Sequence, residues 1–167
     1  MPGNLAQLPR RKWTWFFRIA TGKDHNWAAT LKEIDSFDTE KDFWDMFHSA
    51  IKKPSELGLL RLPINYCIFR RSILPKWEDP ANENGGTLNV EIKKTANAQQ
   101  EPDLESIDFR LESYGLTRKL WSTLIEHVIK EQFGKYSEKI NGVEFVLDPT
   151  KLRFGLVSGT VNALAFW

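Results

Sequence analysis

A single cysteine, Cys67, stands in the 167 residues, so no disulfide can close within the chain and no thiolate set for zinc exists. The three histidines, His25, His48 and His127, share no metal-ligand spacing with one another or with Cys67, and neither a metal nor another cofactor is expected. No apolar run approaches the roughly 20 residues needed to cross a bilayer. Residues 1–11 lack the apolar centre of a secretory signal, which makes a reduced, cytoplasmic protein the expectation. Charge of either sign is also scarce in excess: the formal net charge is +1. Bulk charge therefore exerts no long-range pull on a polyanion, and any nucleic-acid contact has to be local. Catalysis lacks carriers as well. There is no nucleophile–base pair, no Walker-type glycine loop and no clustered carboxylate set, since Glu105 and Asp108 stand isolated. The chain is not expected to be an enzyme.

What is present is enough for one domain with a core and too little for two. Residues 1–11 read as a mobile arm and residues 12–167 as the domain. Trp13, Trp15, Phe17 and Ile19 alternate with Lys12, Thr14, Phe16 and Arg18, a period of two that predicts a strand. Residues 21–26 predict a loop with Trp27 at its end, and residues 31–37 a second strand. Thr39 with Asp42 three residues on is a capping-box pattern opening a helix that stops before Pro54, with Phe43, Phe47 and Ile51 as one buried stripe. Strands over 66–70 and 87–93 flank a loop, and residues 94–113 read as a long polar surface loop. A helix over 117–133 has Leu120, Trp121, Leu124, Ile125 and Val128 as its apolar face and carries Ser122, Glu126 and Lys130 on the opposite one, with a favourable i,i+4 Glu-to-Lys pair. Asn141-Gly142 predicts a turn, followed by strands over 143–147 and 151–157. Alternating strands with two or three amphipathic helices give an α+β domain.

The most informative stretch is Trp77-Glu78-Asp79, bounded by Pro75 and Pro80 and followed by Asn82 and Gly85-Gly86. A large aromatic face beside a carboxylate on a loop suits a flat cationic ligand. The ring attracts positive charge by its quadrupole, worth roughly 0.5–2 kcal/mol. The carboxylate accepts two coplanar N–H donors. N7-methylated guanine has that charge and that edge. A lone Trp is more often core than ligand platform; the wider pattern shifts the balance.

Trp13-Thr14-Trp15-Phe16-Phe17, Asn26-Trp27, Phe37 to Trp44, Tyr66 to Arg70, Ile73 to Asp79 and Asn82 to Gly86, in that order and spacing, resemble the mRNA cap-binding translation initiation factor 4E family. The resemblance covers residues 12–87 and continues over 121–142. It implies a single curved antiparallel sheet, helices on its convex back and the ligand on its concave front. By the same resemblance Trp27 and Trp77 sandwich the methylated base, Glu78 reads N1–H and N2–H, and the backbone N–H of Trp77 meets O6. Lys151, with Arg153 on the same strand face, matches the phosphate contacts, although an ordinary solvated strand face explains that pair equally well. Trp44, about 100° round its helix from Phe43, corresponds to a dorsal tryptophan that receives partner peptides, or else packs at the helix edge.

Three departures accompany these matches. Asp148 stands where the family has an arginine, Gly155 where it has a third tryptophan, and the closing helix and last strand are absent. Glu40, Ser122, Glu126 and Lys130 fall where the family's dorsal groove is apolar or small. The expected function is recognition of the 7-methylguanosine 5′ cap of mRNA, in translation initiation or its regulation. A scaffold or regulatory protein with a non-standard motif is expected on the convex face. The alternative is a cap-binding-deficient member acting as a protein-interaction subunit through that dorsal face. A general single-strand RNA binder fits less well, for want of positive charge and of a ribonucleoprotein-type aromatic motif.

Overall fold

The structure is a computed structural model and describes residues 12–19, 30–50, 64–93, 115–147 and 151–160, with the backbone alone described for 19, 50, 92–93, 115–118, 147 and 151–152. The arm assigned to residues 1–11, the loop assigned to 94–113, Trp27, Ile51 and Asp148 lie outside the described residues. Elements follow in the order β1 (Trp13–Ile19), β2 (Leu31–Phe37), α1 (Glu40–Ala50), β3 (Ile64–Arg70), β4 (Gly86–Lys93), α2 (Gly115–Ile129), a 3-10 helix (Gly134–Lys139), β5 (Ile140–Leu147) and β6 (Lys151–Ser158). The strands form one open six-stranded sheet in the order β2-β1-β3-β5-β6-β4. Every pairing is antiparallel. The α+β reading, with one antiparallel sheet and helices on one face, is therefore observed.

Period-two alternation divides the strand residues between two faces. Trp13, Trp15, Tyr66, Ile68, Val143, Phe145, Phe154 and Leu156 point to the helix side, where they bury against Phe43, Phe47, Trp121, Ile125 and Val128. Trp15 stacks on Phe47 at 5.7 Å, and Phe145 on Phe154 at 4.9 Å. The other face carries a smaller cluster, Phe16, Cys67, Phe69 and Val157, with Leu31 and Ile73 packed against it. Burial on both faces explains why β1 is rich in aromatics at odd and even positions alike.

The helix ends have identifiable chemistry. Thr39 and Asp42 form the reciprocal capping box: the Asp42 N–H donates to Thr39 Oγ1 at 3.1 Å and the Thr39 N–H to Asp42 Oδ2 at 3.2 Å. Helix α2 ends at Ile129, four residues short of the expected 133. Glu131 takes a left-handed conformation (φ 54°), and the Glu131 and Gln132 N–H groups fold back onto the carbonyls of Val128 and His127. That is a Schellman stop without glycine. The Glu131 carboxylate is then free to meet Arg70, whose guanidinium bonds Glu131 Oε1 at 2.7 Å, Ser137 O at 2.7 Å and Ile140 O at 2.8 Å. The same guanidinium lies 4.9 Å from the Trp13 ring, tying the end of α2 and the 3-10 helix to the sheet.

A second correction concerns Asn141-Gly142. They belong to β5, not to a turn, and the register shifts between Ile140 and Gly142. Asn141 is the extra residue of a bulge, which frees its side chain for use outside the ladder. Gly142 is required where it stands: a β-carbon there would lie 2.4 Å from the carbonyl oxygen of Ile68.

Candidate functional site

The loop from Arg71 to Gly85 leaves β3 and enters β4, and its shape is set by side chains binding backbone. Asp79, buried, accepts from the Leu74 N–H through Oδ2 and from the Ala81 N–H through Oδ1, both at 2.9 Å. Asn82, also buried, donates from Nδ2 to the carbonyls of Leu74 (2.9 Å) and Lys76 (2.8 Å). The bulged Asn141 completes the lattice, donating to Asn82 Oδ1 and Ala81 O at 2.8 Å each. Gly85 passes so close to β6 that a β-carbon would stand 1.8 Å from the Ser158 carbonyl oxygen. The loop is thereby clamped on both sides of two residues that point away from it. Trp77 is 77% exposed, and Glu78 beside it is exposed. Among the described residues Trp77 has no ring partner and Glu78 no hydrogen bond or ion pair. A rigidly held, unsatisfied aromatic–carboxylate pair can stack on a planar group and accept donors from its edge.

The clamp was only partly visible in sequence. Asp79 and Asn82 lie within the Trp77 stretch, but Asn141 sits 59 residues further on from Asn82. An Asn-Gly pair between apolar runs looks like a turn, and only strand pairing reveals the bulge.

The helix-free face is ordered in rows by the register. Nearest the Trp77 loop lie Thr14, Phe69, Gly142, Val157 and Thr87; next come Phe16, Cys67, Glu144, Gly155 and Asn89; farthest are Arg18, Asn65, Val146, Arg153 and Glu91. Phe69 and Val157 thus stand near the loop, and Arg18 and Arg153, with Glu91 opposite Arg153, at the far end. Arg153 is half-buried in that far row, in line with Arg18, a residue that the sequence pattern did not single out. Arg18 donates from Nε to Thr30 Oγ1 at 2.9 Å. The backbone of Lys151 lies in β6 opposite Lys93. Trp27 falls outside the described residues, and Ile19, from which its segment departs, pairs with Ile64 at the strand ends opposite Arg70.

Burial tunes two groups of the middle row. Desolvation raises the carboxyl of Glu144 above the ordinary range, with the charge of Arg153 opposing. Desolvation likewise pushes the Cys67 thiol well up, assisted by Glu144 and opposed by Arg18 and Arg153. An inert, protonated thiol fits a packing role rather than a reactive one.

On the helix side, Trp44 is half-buried and packs edge-on against Phe43 and Phe47 at 5.0 and 5.4 Å. Its indole N–H donates to Glu40 Oε1 at 3.4 Å. Lys130 bridges Glu40 (3.0 Å) and Glu126 (2.5 Å). The hydrogen bond with Glu126, then that with Glu40, raises the Lys130 pKa. Glu126 is lowered by the same bond. Of the polar residues expected around the dorsal tryptophan, Glu40, Glu126 and Lys130 therefore form one connected cluster across α1 and α2, while the Ser122 hydroxyl donates to the Lys119 carbonyl within α2.

Comparison with known proteins agrees with this architecture. The family model described as Eukaryotic initiation factor 4E matches residues 9–156, so the likeness runs beyond Gly142 into β6. The chain is 31% identical over 134 residues to eukaryotic translation initiation factor 4E-1 of Caenorhabditis elegans, covering 80% of this chain and 53% of that protein. It spans about half to three-fifths of the length of the curated relatives it matches. Among solved structures, the complex of C. elegans eIF4E-3 with the 4E-binding protein Mextli aligns with a TM-score of 0.68 at 25% identity, covering 92% of this chain and 75% of that one. Ascaris suum eIF4E-3 with an m2,2,7G cap aligns equally well, at 0.68 and 26% identity, covering 91% and 73%. These are initiation factors rather than enzymes, in line with the reading of the sequence. By the extent of the family match and the shared fold, the chain belongs to the eukaryotic initiation factor 4E family.

Proposed function

We propose that the chain binds the 7-methylguanosine 5′ cap of mRNA in the cytoplasm, in translation initiation or its regulation. The observation that carries this reading is the exposed Trp77–Glu78 pair on a loop clamped by Asp79, Asn82 and Asn141. Trp77 stacks on one face of the base, Trp27 closes the other, and Glu78 accepts from N1–H and N2–H. For the sandwich to form, residues 20–29 have to bring Trp27 from the Ile19 end of β1 to the Trp77 end of the sheet. Lys151 and Arg153 take the phosphates, and the two arginines Arg18 and Arg153 in one row, against the single acid Glu91, support that polarity. Solved relatives with m2,2,7G and m7G caps support the ligand class.

Titration of the intrinsic tryptophan fluorescence with 7-methylguanosine triphosphate and with GTP tests the proposal. The methylated ligand is expected to bind at least tenfold more tightly, because methylation supplies the charge that the stack attracts. Equal affinity would sink the sandwich. Replacing both Lys151 and Arg153 by Ala should weaken the triphosphate and spare the bare nucleoside.

A second reading, a protein-interaction subunit with no cap affinity, is favoured by one observation: the carboxylate of Glu144 stands on the face that would receive the phosphates. Under either reading the dorsal surface takes a partner through Trp44, and the Glu40–Lys130–Glu126 cluster selects one with complementary charges. A generic tyrosine–leucine helix would have to displace these ion pairs without replacing them. Calorimetry with such a peptide should show weak binding or none; submicromolar affinity abolished by Trp44→Ala would overturn that expectation.

A further inference from the structure

Glu144 occupies the centre of the helix-free face, between Cys67 on β3 and Gly155 on β6. It is only partly exposed, and among the described residues its carboxylate makes no hydrogen bond and no ion pair. Arg153, two residues along β6 from Gly155, acts on it through charge alone. A carboxylate stripped of much of its water and given no donor is unfavourable unless a cation or donor arrives. Gly155 adds a second observation. A β-carbon there would stand 2.9 Å from Asn89 Oδ1 and 3.0 Å from Thr87 Cγ2, with Glu144 Cβ at 3.7 Å. The Asn89 carboxamide oxygen therefore leans over bare backbone beside Glu144. The Asn89 carboxamide and the Glu144 side chain thus flank the same glycine on neighbouring strands.

That point lies one row, two residues or about 6.6 Å along the strands, from the row beside the Trp77 loop. A guanine whose N1/N2 edge is held by Glu78 on the loop directs its opposite edge, with N7 and its methyl group, along the sheet. That edge carries the positive charge.

We propose that Glu144, with Asn89 beside it, is a further ligand-binding group: it supplies the counter-charge to the N7-methyl edge of the bound base and so helps set the preference for methylated over unmethylated guanine. The inference rests on the cap-binding reading and adds to it a discriminating residue outside the stack. Neutral guanine gains nothing from a carboxylate at that edge, whereas the methylated ring does.

The test uses the full chain and nucleosides without phosphate, so that Lys151 and Arg153 play no part. Tryptophan fluorescence is titrated with 7-methylguanosine and with guanosine, for the wild type, Glu144→Gln and Asn89→Ala. In Glu144→Gln, which keeps the side-chain shape, the ratio of the two affinities should fall about three- to tenfold through weaker binding of the methylated nucleoside alone. Asn89→Ala should shift the ratio the same way by less, and it gives the answer if the Glu144 variant fails to fold. An unchanged ratio, or equal losses for both nucleosides, overturns the role of Glu144 and leaves cap binding standing. A wild type without preference for the methylated nucleoside overturns both.

Discussion

On the helix side of the sheet every charge in the dorsal cluster has a partner: Lys130 holds Glu40 and Glu126, and Trp44 donates its indole N–H to Glu40. On the other side Glu144 and Arg153 share a face and meet no ion-pair partner among the described residues. The two tryptophans that flank these regions differ in the same sense. Trp44 is half-buried against two phenylalanines, while Trp77 is 77% exposed. Groups already satisfied within the fold gain little from a ligand and resist one; groups held rigidly but left unsatisfied are the ones a ligand can reward. The contrast assigns small-ligand recognition to the Trp77 side, whereas a partner on the helix side has to match ion pairs that already exist.

The largest effect that can break this division comes from exchanging two tryptophans for alanine. Trp121 is 1% exposed in the main core, against Phe145 and Phe154. Trp121→Ala should cost about 3–5 kcal/mol in a denaturant melt. Trp77→Ala should stay within about 0.5 kcal/mol of the wild type, because its ring touches so little. In ligand titrations the order reverses: Trp77→Ala should lose about ten- to a hundredfold in affinity, one stacked base's worth. A clear destabilisation by Trp77→Ala would show that the ring is structural.

An intermediate effect belongs to the clamp. Asn82→Ala strips partners from the carbonyls of Leu74 and Lys76 and from Asn141 Nδ2. The expected cost is about 2–3 kcal/mol in stability. Affinity for the cap should fall as well, although Asn82 touches no ligand, because Trp77 and Glu78 lose their fixed positions. Asn141→Ala should reproduce the affinity loss from 59 residues away, and that result separates a positioning lattice from a local loop effect. Full affinity in both variants would mean the loop holds itself.

Much of this contrast was legible in the residues, unevenly. The capping box at Thr39, the alternation in β1 and the stripe of Trp121, Ile125 and Val128 in α2 are local patterns, and local patterns are what a sequence displays; Leu120, read as part of that stripe, is exposed because it lies at the edge of the packed face. Exposure of Trp77 could be argued from its failure to join any apolar period. The dorsal cluster was visible only in part: Glu126 and Lys130 sit four apart on one helix, but Glu40 joins them through helix packing. The bulge at Asn141, the row shared by Arg18 and Arg153 and the lack of a partner for Glu144 were hidden, because each depends on pairing between strands distant in sequence. The end of α2 was overshot because Glu131, an ordinary helix former, takes the left-handed conformation usually left to glycine.

The smallest effect, and the sharpest for the unpartnered side, is in pH. Desolvation raises the Glu144 carboxyl above the ordinary glutamate value of about 4.5. The folded state therefore binds this proton more tightly than the unfolded state does. Its contribution to stability is present in full below the unfolded value and declines as pH rises from about 4.5 through the folded value. Glu144→Gln removes that titration. Around Glu144 stand Arg153 and Arg18, which keep their charge throughout this range, and the Cys67 thiol, raised well above it. The difference in melting temperature between Glu144→Gln and the wild type should therefore be near its minimum at pH 4 and grow in favour of the glutamine variant toward neutrality. Saturating 7-methylguanosine should shrink the difference again, since the cationic ring relieves the ionised carboxylate in the wild type only. A pH-independent difference would mean that Glu144 is already satisfied, and the contrast between the two sides of the sheet would lose its central residue.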